Sequence, residues 1–117
     1  MPLLLVALGG SLGSAVRYLV SLALQRTTAA AIPIGTFAVN VLGCFLIGFA
    51  ATCSELAHEV RTFIIPGFLG GFTTFSTFSY ETLALAHAGK HHLALLNTAL
   101  NLLAGLGAAQ LGKMLAK

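Results

Sequence analysis

Gly67-Phe68-Leu69-Gly70-Gly71-Phe72-Thr73-Thr74-Phe75-Ser76-Thr77-Phe78-Ser79-Tyr80-Glu81 is the stretch on which the reading of this chain turns. Its surroundings are apolar from Thr62 and carry no charge until Glu81, as a membrane helix would. Its middle, however, gives up large aliphatics for paired glycines and a run of Thr and Ser hydroxyls. A helix broken here would free backbone N–H and C=O groups, which in lipid must find partners inside the protein, so a break is tolerated only where it is packed or lines a polar cavity. The stretch is therefore a candidate site. Phe72, Phe75 and Phe78 recur at every third position and so share a slowly drifting helix face. Aromatic stripes usually pack, but hydroxyls interleaved with rings beside Gly70-Gly71 favour a pore or substrate lining.

Working outward, composition sets the class. Of 117 residues, 57% are hydrophobic and 8% charged, with a mean hydropathy of +0.94. A soluble domain cannot cover itself with so few polar residues, whereas a bilayer supplies an apolar solvent. At about 20 residues per crossing, the chain has room for about four spans and short loops, in one domain over residues 1–117. The net charge of +3 is scattered, which argues for cations at lipid headgroups and against a nucleic-acid face. Cys44 and Cys53 fall on one helix, too far apart along its axis to pair, and read as reduced core residues. The opening Met1-Pro2-Leu3 has no basic n-region and reads as a retained first span, not a removed signal peptide.

The first expected span, residues 3–24, holds Gly9 and Gly13 at small-xxx-small spacing and one charge, Arg17. Arg17 either snorkels to the headgroups or faces a water-filled vestibule and attracts anions. The second, 32–52, has Pro33 at its start and Asn40 as its only strongly polar side chain, either interhelical glue or a donor of amide N–H into a pore. Ser54 to Arg61 is the most charged loop and marks a membrane surface. The third span, 62–86, contains the broken stretch. His91-His92 after it read as solvated loop residues, with no ligand partners at metal spacing. The fourth, 93–111, carries Asn97 and Asn101 one turn apart on one face, a polar track.

Flanking charges barely choose an orientation. Arg61, Lys113 and Lys117 would lie on one side and Arg26 and Lys90 on the other, a difference of one. Insertion both ways round is expected, and antiparallel pairing of two copies would then create a two-fold axis in the membrane plane.

Three segments, in order, resemble a known family. Gly9-Gly10-Ser11-Leu12-Gly13-Ser14-Ala15-Val16-Arg17-Tyr18, Pro33-Ile34-Gly35-Thr36-Phe37-Ala38-Val39-Asn40 and Gly70 through Glu81 are similar to the Fluc (CrcB) fluoride channels, and the third motif is highly specific. The resemblance implies an all-α protein of the cell inner membrane. Each subunit would have four transmembrane helices, the third broken mid-membrane, in an antiparallel dual-topology homodimer that exports fluoride. It also implies a structural sodium ion (Na+) at the dimer interface on the main-chain carbonyls of Gly70 and Thr73. A fluoride path would pass Asn40, Phe75 and Phe78, with Ser76, Thr77 and Asn101 near it and Arg17 at the vestibule. The fourth span departs from the family's Tyr and Ser track, with Asn97 and Asn101 in its place.

Two other readings compete. A small multidrug-type proton-coupled transporter is similarly short but needs a membrane-embedded carboxylate, and Glu55, Glu59 and Glu81 are placed in a loop or near a helix end. A non-conducting scaffold would use the glycines and rings only to pack. An enzyme is not indicated, since no nucleophile sits with a base or metal cluster. The near-balance of loop charges generates a first expectation: the wild-type protein inserts in both orientations, and two Lys added to the first loop favour one. Cysteine labelling from each membrane side checks this, and wild-type labelling from one side only would refute it.

Overall fold

The computed structural model describes residues 1–117, and every regular element in it is helical. Helix α1 spans Pro2–Thr27, longer at both ends than the apolar run alone implies. Its 26 residues at 1.5 Å rise make about 39 Å, enough to cross a hydrocarbon core of about 30 Å with tilt. Pro2 suits the first turn, where the missing N–H costs no hydrogen bond. Helix α2 spans Ile34–Thr52, with Pro33 just outside it as the N-cap residue and not within its first turn. The extents of the molecule are 48 × 28 × 23 Å, and the long one fits the thickness of a bilayer with its headgroups.

The third run is segmented. Helix α3 (His58–Thr62) leads into a π-helical stretch, Phe63–Leu69, then the single turn α4 (Gly70–Phe72), two extended residues, and α5 (Phe75–His87). Hydropathy assigns His58 to Arg61 to a loop; in the structure they begin this run. The wide π turns contain Pro66, which has no N–H and whose ring would clash with an ordinary α-helical neighbour. After α5, Gly89 adopts φ +80, the only positive φ in the chain, a conformation glycine takes without a Cβ clash. The turn delivers α6 (His91–Leu115), so His91 and His92 are helical rather than loop residues. Helices α1, α2 and α6 are each long and apolar enough to cross a membrane.

Only 16 of the 117 residues are buried, and half of those 16 are glycines. The fold is therefore held by close backbone approach rather than by a core of large side chains, as expected where lipid removes the hydrophobic drive between helices. Helix α1 lies along the π-helical stretch and α4, and α2 along α6. At Gly13 a Cβ would overlap the Phe68 carbonyl, at Gly9 that of Phe63, and at Gly112 that of Phe45. Large apolar side chains instead point outward, Leu3, Leu103 and Leu95 among them. The only buried cluster of large apolar residues is Val39, Leu69 and Phe72.

Arg61 closes the end of α2. Its guanidinium donates to the carbonyls of Ala50, Ala51 and Cys53, groups that have no partner within the helix and carry the negative end of its dipole. Cys44 and Cys53 are both free.

Packing this close gives a sharp contrast between glycines. Gly13→Ala drives a methyl into rigid backbone and should cost about 1–3 kcal/mol. Gly107, where an added Cβ would meet nothing within 4 Å, should accept Ala neutrally or with a small gain. Thermal unfolding in detergent checks the pair, and equal melting temperatures would refute the backbone-contact account.

Candidate functional site

The helical run gives way at Thr73 and Thr74, not at the glycine pair. Thr73 has φ −82, ψ 155 and Thr74 φ −149, ψ 117, both extended, while Gly70 and Gly71 complete the turn α4. Glycine is used there for proximity: a Cβ on Gly71 would overlap Gly10 of α1.

Extended residues inside a helical bundle leave N–H and C=O groups without helical partners, and other helices supply partners at Thr74 and at the Gly71 carbonyl. Asn40 of α2 pairs with Thr74 twice, donating from Nδ2 to the Thr74 carbonyl at 3.0 Å and accepting the Thr74 N–H on Oδ1 at 2.9 Å. A carboxamide carries an acceptor and two N–H groups, so this strand-like pairing leaves Asn40 one N–H for anything else. On the other side, Arg17 Nε donates to the Gly71 carbonyl at 3.0 Å, and Ser14 Oγ reaches the same oxygen at 3.5 Å. Arg17 is thus anchored on backbone rather than extended to either surface.

Helix α5 restarts on a threonine cap. Thr74 Oγ1 accepts the Thr77 N–H at 3.2 Å and lies 3.1 Å from Thr77 Oγ1 and 3.3 Å from Ser76 Oγ, so the three hydroxyls form one cluster on the first turn. The Thr73 hydroxyl is taken up by the Leu69 carbonyl at 2.9 Å. That bond spends the Thr73 hydroxyl proton and ties its side chain back to the preceding turn. Gly70 is exposed on the protomer surface, and the Ile65 carbonyl, 3.8 Å from where a Cβ would stand, is its one close neighbour there. Main-chain oxygens such as those of Gly70 and Thr73 suit a hard cation such as sodium.

A cavity of about 330 Å³ lies against the break. Asn40, Phe75, Phe78 and Asn101 line it together with Thr73, Thr74, Gly43 and Cys44, and no charged side chain does. Phe78 is 9% exposed and Phe75 76%; their centroids are 5.6 Å apart with planes tilted by 50°. Phe72, the third ring of the stripe, turns away to stack on Phe68 at 5.7 Å. Of the residues singled out from sequence, Asn40, Phe75, Phe78, Asn101 and Thr73 meet at this cavity. Ser76 and Thr77 adjoin it through the cap, while Arg17 and Gly70 lie outside its wall.

Two further groupings have no signal in the sequence. Asn97, 2% exposed, donates from Nδ2 to Thr82 Oγ1 at 2.9 Å, a bond between α6 and α5 that only the turn geometry creates. Glu81 is well inside α5 rather than near its end, with Oε1 buried and without a partner and the Thr36 hydroxyl beside its carboxyl. No group of three metal-ligating side chains is present.

The chain is similar to known proteins over nearly its whole length. The family model described as CrcB-like protein, Camphor Resistance (CrcB), matches residues 4–113. A protein of Azobacteroides pseudotrichonymphae called fluoride-specific ion channel FluC is 44% identical over 115 residues, covering 95% of this chain and 92% of its own. A protein of the same name from Shewanella frigidimarina is 45% identical over 115 residues, covering 96% and 93%. Another from Parabacteroides distasonis is 41% identical over 116 residues, covering 97% and 91%.

The double pairing of Asn40 with Thr74 sets an expectation independent of any activity. Asn40→Val removes the partner of the Thr74 N–H, so exchange of that amide should accelerate by about tenfold or more, as loss of a hydrogen bond of about 1.5 kcal/mol implies. Hydrogen exchange read by mass spectrometry or NMR checks it; unchanged protection at Thr74 would refute the pairing.

Proposed function

The chain belongs to the CrcB-like family, and on that premise we propose that it is a fluoride-selective ion channel through which fluoride leaves the cell. It is a multi-pass membrane protein, and we assign it to the inner membrane. The observation that carries the reading is the uncharged cavity at which Asn40, Phe75 and Phe78 converge beside the break. Channel relatives at 44% and 45% identity over nearly the whole chain support it.

A fluoride ion leaving water gives up a large hydration energy, which the lining must replace without a charge that would trap the ion. Asn40 has one N–H left after holding Thr74. The positive edges of the Phe78 and Phe75 rings supply further stabilisation. Phe78 is fixed by burial, while Phe75 stands exposed on the protomer, where a second copy would cover it. The Ser76 and Thr77 hydroxyls serve the entrance, and Asn101 closes the wall. Arg17 adds a positive charge near the path while holding Gly71 in place. Two copies in opposite orientation would form the channel, with a structural sodium on the main-chain oxygens of Gly70 and Thr73 from both. The ion would supply positive charge that holds the two breaks together. Exposure of Gly70 on the protomer surface supports that choice.

The proton-coupled transporter reading gains one observation, the buried Glu81 oxygen, but the relatives and the neutral cavity weigh against it. Fluoride-electrode efflux from liposomes that contain only this protein tests the proposal. Phe78→Ile and Phe75→Ile keep apolar bulk and lose the ring quadrupole, so each should cut efflux by up to about tenfold while dimers still assemble, a loss of the size an aromatic contact supplies. Asn40→Asp should block as well, since it brings a negative charge and gives up the donors. Gly70→Leu should abolish assembly or flux. Wild-type rates from both Ile variants would rule out the ring-edge role, and a normally conducting Gly70→Leu would displace the sodium site.

A further inference from the structure

Asn97 is among the most buried side chains of the protein, touches neither cavity and is given no task by the conduction path. Its bonds nevertheless connect that path to the backbone of α5 in a chain whose direction is fixed. The chain starts at the Phe78 carbonyl, which can only accept. Thr82 Oγ1 donates to it at 2.8 Å, and having spent its one proton, Thr82 can only accept in turn. Asn97 must therefore turn its NH2 towards Thr82, at 2.9 Å, and its Oδ1 to the opposite side. On that side the Asn97 main-chain oxygen and Oδ1 form a pair of acceptors, and Asn101 Nδ2 lies 2.8 and 3.1 Å from them. A reversed Asn101 carboxamide would put oxygen against two oxygens. Asn101 keeps this orientation although its own Oδ1 is buried and without a partner, an arrangement that costs free energy unless the NH2 contacts hold it.

We infer that Asn97, acting through Thr82, is a positioning residue that withholds the Asn101 N–H donors from the fluoride path. The inference rests on the fluoride-channel reading and deepens it. Asn101 closes the cavity wall without gripping the ion, which leaves the direct amide contact to Asn40 alone. A second amide donor at this place would bind the anion more tightly and slow its exit, since charge-assisted hydrogen bonds are the strong ones and conduction needs an ion that escapes. Thr82 is the point at which the restraint can be released without touching either asparagine.

The test uses the intact dimer. The sequence contains three asparagines, Asn40, Asn97 and Asn101, so 15N-asparagine labelling gives three side-chain amide signals to follow during a fluoride titration. In the wild type the Asn40 amide should respond to fluoride and the Asn101 amide should not. In Thr82→Val, which removes the hydroxyl at nearly constant shape, the Asn101 amide should become fluoride-sensitive. In liposomes the same variant should show half-saturating fluoride lowered by about tenfold, the size of one added hydrogen bond, together with a reduced maximal efflux. Thr82→Ser, which retains the hydroxyl, should keep the Asn101 amide silent. A wild-type Asn101 amide that shifts with fluoride overturns the inference while leaving the channel reading intact. So does a Thr82→Val protein whose Asn101 amide stays silent or whose efflux falls with half-saturating fluoride unchanged. If Thr82→Val does not assemble, Thr82→Ala replaces it and the wild-type titration still decides. A wild type without fluoride efflux removes the channel reading and this inference with it.

Discussion

Everything near the cavity depends on one requirement, that the peptide groups freed at Gly71 and Thr74 be satisfied without water. In a bilayer each unsatisfied group costs several kcal/mol, and Asn40 meets the demand at Thr74 from both ends of its carboxamide. That single pairing fixes where α5 begins, and hence where Phe75 and Phe78 stand relative to α2. Arg17 and Ser14 perform the corresponding service at the Gly71 carbonyl from α1. The interrupted run is thereby braced from two helices, so its geometry is a property of the bundle rather than of its own sequence.

The same economy governs the packing. Because large apolar side chains gain little by leaving lipid for protein, they line the outside, and the helices meet through glycines such as Gly9, Gly13 and Gly112. Backbone is far stiffer than side chain, so contacts of this kind define position well. The few polar groups of the interior can then be held at hydrogen-bond distance with little room to adjust, as in the chain from Phe78 through Thr82 and Asn97 to Asn101.

Much of this is legible in the sequence, and for identifiable reasons. Composition and length point to the helical membrane class, and the Gly-Gly-Phe-Thr-Thr stretch points to the region of the break. Hydropathy has no term for which residue of such a stretch leaves the helix. The glycines draw attention because they break helices in water, whereas here they serve close contact with Gly10 and the departure falls on two threonines. The threonine cap of α5 has a local signal, a hydroxyl three residues before another at a helix start. The π-helical turn has only Pro66, which marks a disturbed helix without saying that its turns widen, and the Asn97 to Thr82 bond has none. The widened turns lie against α1, and the bond joins residues 15 apart across a turn. Glu81 sits at the middle of a helix rather than near an end, because the break makes α5 a separate helix that runs from Phe75 to His87.

Arg61 carries one further implication. As one of the few basic residues flanking a span, it counts towards the orientation in which the chain is threaded into the membrane, yet its guanidinium also holds the last carbonyls of α2. Genetic drift of the charge balance at this position is consequently penalised through folding, whichever way round the subunit sits. Lys90, Lys113 and Lys117 make no hydrogen bond to the bundle through their side chains, so at those positions charge can change without loosening a helix end, whereas at Arg61 it cannot.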